Sequence, residues 1–159
     1  MLHGGSKLYC SSFYLICLAA MVCGCSKSSK FDLTPVVGTV TLDGQPLADA
    51  DVTFFHQGSS VPGYQISTGK TDAAGKYELK AGAKPGAVPG DFKVTVSRIV
   101  SKDGATVTLE EGMDMTQLEM QGLAKQSLPE KYSDYEKTEL SAKVENGKAE
   151  GYDFPLTGS

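Results

Sequence analysis

The sequence contains no tryptophan, no cysteine beyond Cys25, and only two histidines, His3 and His56. Each scarcity closes a route. Without cysteines most of the chain cannot be stapled by disulfides, so whatever folds there must stand on packing. A structural zinc site takes four ligands, and Cys23 and Cys25 with two scattered histidines do not supply them, so no metal is expected. Sugar-binding surfaces commonly use a flat Trp or Tyr face, and only the tyrosines remain for that role. Fifteen basic against 19 acidic residues leave a net charge of -4, and nowhere do Lys and Arg gather with aromatics along a groove that could track phosphates. No nucleic-acid partner and no cofactor are expected.

The residues present favour strands. Hydrophobic residues make up 40% and charged residues 21%, a globular balance, and 18 Gly with 7 Pro lie among many Val, Thr and Tyr. That mixture suits short strands and turns, and the length suits a single core. The expected class is all-β.

All four cysteines, Cys10, Cys17, Cys23 and Cys25, lie at the start. Lys7 precedes an apolar run from about Leu8 to Val22, interrupted by Ser11 and Ser12 and marginal for spanning a bilayer, which takes about 20 apolar residues. This is the pattern of an export signal. Its ending, Val22-Cys23-Gly24-Cys25, resembles a bacterial lipobox, in which the thiol of the last residue receives a diacylglycerol and a small residue precedes the cut. Residues 1–24 then form the signal peptide, cleavage follows Gly24, and Cys25 carries the lipid. Two or three acyl chains hold a protein far more firmly than the reversible grip of one. Residues 25–34, polar and rich in Ser and Lys, read as a tether, and the domain is expected over 35–159.

From Pro35 the sequence alternates in twos. Val36, Gly38, Val40 and Leu42 share one face until "DGQP" (43–46) breaks the strand. Val52 and Phe54 face one way in the next, and Tyr64, Ile66 and Thr68 are expected in phase in a third. In "TDAAGKY" (71–77) Asp72 can accept from the turn's amides and Gly75 supplies a positive φ, closing a hairpin onto Tyr77 and Leu79. "AGAKPGAVPG" (81–90) reads as a loop, and Phe92, Val94 and Val96 mark the strongest strand. "SKDG" (101–104) reads as a turn into "ATVTLE". Residues 111–127 match neither period and read as an insertion with a short helix. Leu140, Ala142 and Val144, then Asn146-Gly147, then Tyr152, Phe154 and Leu156 read as a closing hairpin. Turns about every ten residues suit two sheets packed face to face.

"VVGTVTLDGQPLADADVTF", "GKTDAAGKYEL" and "PGDFKVTV", spread from Val36 to about Val96, resemble the carboxypeptidase regulatory-like domain, a transthyretin-like (prealbumin-like) module. Small bacterial lipoproteins carrying it commonly add "LPEKY", here Leu128 to Tyr132, and a final "YDFPL". The resemblance implies a prealbumin-like Greek-key β-sandwich of about seven strands, with a partly helical insertion before the last hairpin. It also implies a module that originally packs beside a catalytic domain, stiffening or orienting it, and carries no catalytic residues itself, so the chain is not expected to be an enzyme. The hydroxyisourate hydrolase of the same fold relies on several histidines, whereas only His56 follows the signal.

The remaining candidates are few. His56, in phase with Phe54, reads as a rim residue. Asp43, Asp49 and Asp51 lack the spacing of a calcium loop. Asn146, the sole asparagine, lies in a turn and is unsuited to an internal amide bond. Tyr132 and Tyr135 are the paired aromatics that could contact a ligand. The expected protein is therefore a non-catalytic envelope lipoprotein, joined to the membrane by its lipid and presenting a structural or protein-binding sandwich. A carbohydrate-binding module is the alternative. Ser26 is not the Asp that retains some lipoproteins at the inner membrane, which favours the outer one.

Overall fold

A computed structural model describes residues 32–58, 62–107, 115–149 and 151–158. The described residues all belong to one compact unit, Phe31–Ser159. Gly24 and Cys25 lie outside them.

In chain order the elements are β1 (Val37–Leu42), β2 (Gln45–Pro46), β3 (Asp51–His56), β4 (Ile66–Lys70), β5 (Lys76–Glu78), β6 (Lys80–Ala81) and β7 (Lys84–Pro85). There follow β8 (Gly90–Ser97), β9 (Ile99–Ser101), α1 (Met115–Met120), β10 (Ala124–Gln126), α2 (Glu130–Ser133), β11 (Ser141–Val144) and β12 (Phe154–Leu156). The unit is all-β, with two main sheets. In the smaller, β1 lies between β12, parallel to it, and β2, while β5 pairs antiparallel with the first half of β1. The larger runs β11-β8-β3-β4-β6-β7, antiparallel throughout.

The two sheets meet across a single core. Val40, Tyr77, Phe154 and Leu156 come from the smaller sheet and Val52, Phe54, Phe92, Val94, Val96 and Val144 from the larger, all buried. Phe54 sits at the centre, its ring 5.6 Å from Phe92, 6.0 Å from Phe154 and 6.4 Å from Tyr77. Edge-to-face and tilted aromatic pairs of this kind add about 0.5–1.5 kcal/mol each beyond the area they bury.

Local chemistry explains the turns. Asp43 and Gly44 both take positive φ, 51° and 81°, the geometry of a two-residue hairpin turn whose twist matches its strands. Asp72 Oδ1 accepts from the amides of Ala74 at 2.8 Å and Lys76 at 2.9 Å, and Gly75 has φ 74°. The amide of Gly104 closes "SKDG" on the carbonyl of Ser101, and Thr106 bridges Val100.

Four expectations need correction. The alternating run at the C-terminus is not a hairpin: β11 joins β8 in the larger sheet, whereas β12 crosses over to lie parallel to β1 in the smaller. Both runs bury one face, which a hairpin and a sheet-to-sheet crossing satisfy equally, so alternation alone cannot choose between them. The segment from Tyr77 to Leu79 also changes sheet, because β5 pairs with β1 and β6 with β4. In β4 the expected face is inverted: Ser67 is buried and Ile66 is 50% exposed. Pairing with β3 sets Ser67 opposite the inward Phe54 and Ile66 opposite Phe55. Finally, twelve strands stand among the described residues in place of about seven, because two-residue strands flank the turns at β2, β6 and β7 and because β9 pairs with β10 in a separate ribbon.

Candidate functional site

The segment from Ser127 to Thr138, which contains "LPEKY", ties the sandwich together. At its start the backbone and side chain of Ser127 both donate to the carbonyl of Arg98, at 2.8 and 2.9 Å. At its end Thr138 Oγ1 donates to the carbonyl of Val94 at 2.7 Å. Between these fixed points Leu128 drops into the core, 5% exposed, which stabilises the fold by about 1.5–3 kcal/mol. Pro129 then precedes the single turn of α2. Lys137 pairs with Glu130 across that turn and lies 3.9 Å from Asp134.

Tyr132 and Tyr135 leave this segment toward different sheets. The Tyr132 hydroxyl shares a hydrogen bond with Thr157 Oγ1 at 3.1 Å and accepts from the Thr157 amide at 3.2 Å, just beyond β12. Those bonds from Thr157 favour the phenolate and hold the Tyr132 hydroxyl below the usual phenol range. Tyr135 instead meets Phe55 edge-on, with centroids 4.8 Å apart, and Lys93 Nζ lies 4.7 Å from the Tyr135 ring centre. Lys131 covers Tyr132 similarly at 5.0 Å. The two rings named as candidate ligand contacts therefore have protein partners of their own.

The Tyr135 contact marks a surface. Phe55 and Lys93 are cross-strand partners on the outer face of the larger sheet, followed on either side by Ile66 and Ser141. A cleft of about 530 Å³ opens beside them, lined by residues that include Gln57, Asp91, Glu139 and Lys143. Its lining carries acids (Asp91, Glu139) and bases (Lys93, Lys143) together with Leu140 and Ala142. Sequence reasoning missed Phe55 and Lys93. The doubled Phe54-Phe55 signalled that Phe55 faces outward, since a strand that buries the first must turn the second outward, but nothing local placed Lys93 beside it.

His56 behaves as a rim residue. Its Nδ1 accepts from the Gly58 amide at 3.1 Å and its ring stands edge-on to Phe92 at 5.1 Å. Asp43 accepts from the Gly158 amide at 3.1 Å, securing the chain beyond β12. Desolvation raises the pKa of Asp51, with Lys70 partly opposing and Asp49 adding to the shift. Asn146 is exposed. Among the described residues no group of three or more His, Cys, Asp and Glu is placed to hold a metal ion, and no helix is long and apolar enough to cross a membrane.

No known protein family matches this chain, and no curated protein does. Among solved structures, a 9R-lipoxygenase from Cyanothece PCC8801 is similar over 79% of this chain, at 15% identity and a TM-score of 0.32. The chain spans 16% of that enzyme's length, and likeness at this level bears on neither fold nor activity.

Proposed function

We propose that the chain is a lipid-anchored bacterial envelope protein whose prealbumin-like Greek-key sandwich is a non-catalytic module for contact with another envelope protein. One observation carries the proposal: Val22-Cys23-Gly24-Cys25 ends an apolar run and leads through a polar tether into a unit that builds its own core. In this reading residues 1–24 are removed, Cys25 bears the acyl chains, and residues 25–34 give the domain reach. The finer fold assignment rests on the blocks between Val36 and Val96, which fall on strands of both sheets.

The outer surface around Phe55 and Tyr135 supports a protein partner, because aromatic side chains are enriched among the contact residues of protein interfaces. The glycan alternative would need a free ring face, and Lys131 and Lys93 stand over Tyr132 and Tyr135.

The test is the variant Cys25→Ser, expressed as the full chain. It should escape lipid modification, remain unprocessed, and wash from membranes with carbonate, while the unaltered protein stays. Equal processing and retention of the variant would overturn the anchor.

A further inference from the structure

The larger sheet ends at β11, and among the described residues nothing pairs with its outer edge. The carbonyl of Leu140 accepts from the Val94 amide at 2.9 Å, and in an antiparallel ladder the backbone groups alternate in direction residue by residue. The Leu140 carbonyl and the amides and carbonyls of Ala142 and Val144 thus face β8, with the Leu140 amide donating to Thr138 Oγ1 at 3.2 Å, while the backbone groups of Ser141 and Lys143 face away from β8. A cleft of about 250 Å³ lies alongside, its lining including Ser141–Lys143 and Gly151–Phe154. The side chains of Glu139, Ser141 and Lys143 are exposed. They share one face in the order acid, hydroxyl, base.

That order is its own complement when reversed. We propose that β11 is a self-association edge, at which two copies of the chain pair antiparallel about Ser141 and merge their larger sheets into one. In this register Glu139 of each copy faces Lys143 of the other, and hydrogen bonds are exchanged by the residues whose backbone groups face away from β8. Leu140 meets Ala142 on the opposite face. Registers centred two residues away set Lys143 against Lys143 or Glu139 against Glu139, and like charges directly opposite are unfavourable. An edge lysine usually discourages pairing; here Glu139 converts it into a register signal. So short an edge buries little area, so the association is weak and depends on concentration.

Sedimentation equilibrium of the full chain in density-matched detergent tests this, with circular dichroism to confirm that each variant is folded. The unaltered chain should follow a monomer–dimer equilibrium. Lys143→Glu should weaken it by about tenfold or more, and adding Glu139→Lys should restore it to within about threefold. A chain that stays monomeric at the highest attainable concentration overturns the proposal, even if another protein proves to bind β11. A dimer indifferent to Lys143→Glu, or a double variant that fails to recover, overturns it equally.

Discussion

Tyr77 shows how much one side chain can settle. Its ring is 2% exposed and its hydroxyl donates to the carbonyl of Tyr152 at 2.6 Å, fastening β5 to the chain that leads into β12. The neighbouring Gly38 is part of the same arrangement: a Cβ there would stand 1.9 Å from the Tyr152 carbonyl oxygen and 2.8 Å from the Tyr77 hydroxyl. Tyr77→Phe should cost about 1–3 kcal/mol in urea unfolding by orphaning a buried carbonyl. Gly38→Ala should cost more, about 3 kcal/mol or above, since backbone has to move. Burial, with Asp153 and Tyr152 adding to it, holds the Tyr77 hydroxyl far above the ordinary value of 10.0. Because the folded pKa is the higher one, the native state keeps a proton that the unfolded chain releases. This contribution to stability is complete below the ordinary value and declines as pH rises past it, by up to about 1.4 kcal/mol per pH unit. Stability measured against pH should lose that one-proton slope in Tyr77→Phe.

Among the elements, the segment from Ser127 to Thr138 has the clearest structural role. Leu128→Ala should lower stability by about 2–4 kcal/mol. Tyr132→Phe, which removes an exposed hydroxyl bond to Thr157, should cost less than about 1 kcal/mol. Chemical denaturation of both variants checks the ranking, and a reversal would mean that the segment holds the sheets through its surface bonds. Period-two patterns made the long strands legible: Val52 with Phe54, and Phe92 with Val94 and Val96, face the core as their spacing demands. The Asp72 turn was legible because its side chain and Gly75 specify it locally. Pairing partners were not, since Phe154 and Leu156 would be buried in either sheet. Nor was β10, whose Ala-Lys-Gln has no strand preference; it pairs with β9, and nearby Gln126 Oε1 accepts from the Arg98 amide at 2.8 Å. In β4, Ile66 misled because its hydrophobicity pointed inward, whereas inward Gly69 lets the Glu78 carbonyl approach, 2.6 Å from where a Cβ would stand. Of the candidate surface, Tyr135 could be named from sequence, but Phe55 and Lys93 come to it only through the register of β3 with β8.

At the scale of the whole molecule, the proposed anchor and the proposed edge pairing would reinforce each other. Attachment to a bilayer through Cys25 would raise the local concentration of neighbouring copies, so that a weak edge contact at β11 would become effective there without any added area. The protein should therefore be cross-linked through Ser141→Cys more readily in native membranes than after extraction into excess detergent. Everything at this scale depends on the chemistry of one sulfur atom. Mass spectrometry of the N-terminal peptide from membrane-extracted protein tests it most directly. A peptide beginning at Cys25 and heavier by a diacylglycerol, with or without a further acyl chain, is the expected result. An unmodified Cys25, or a mature chain that begins elsewhere, would contradict it.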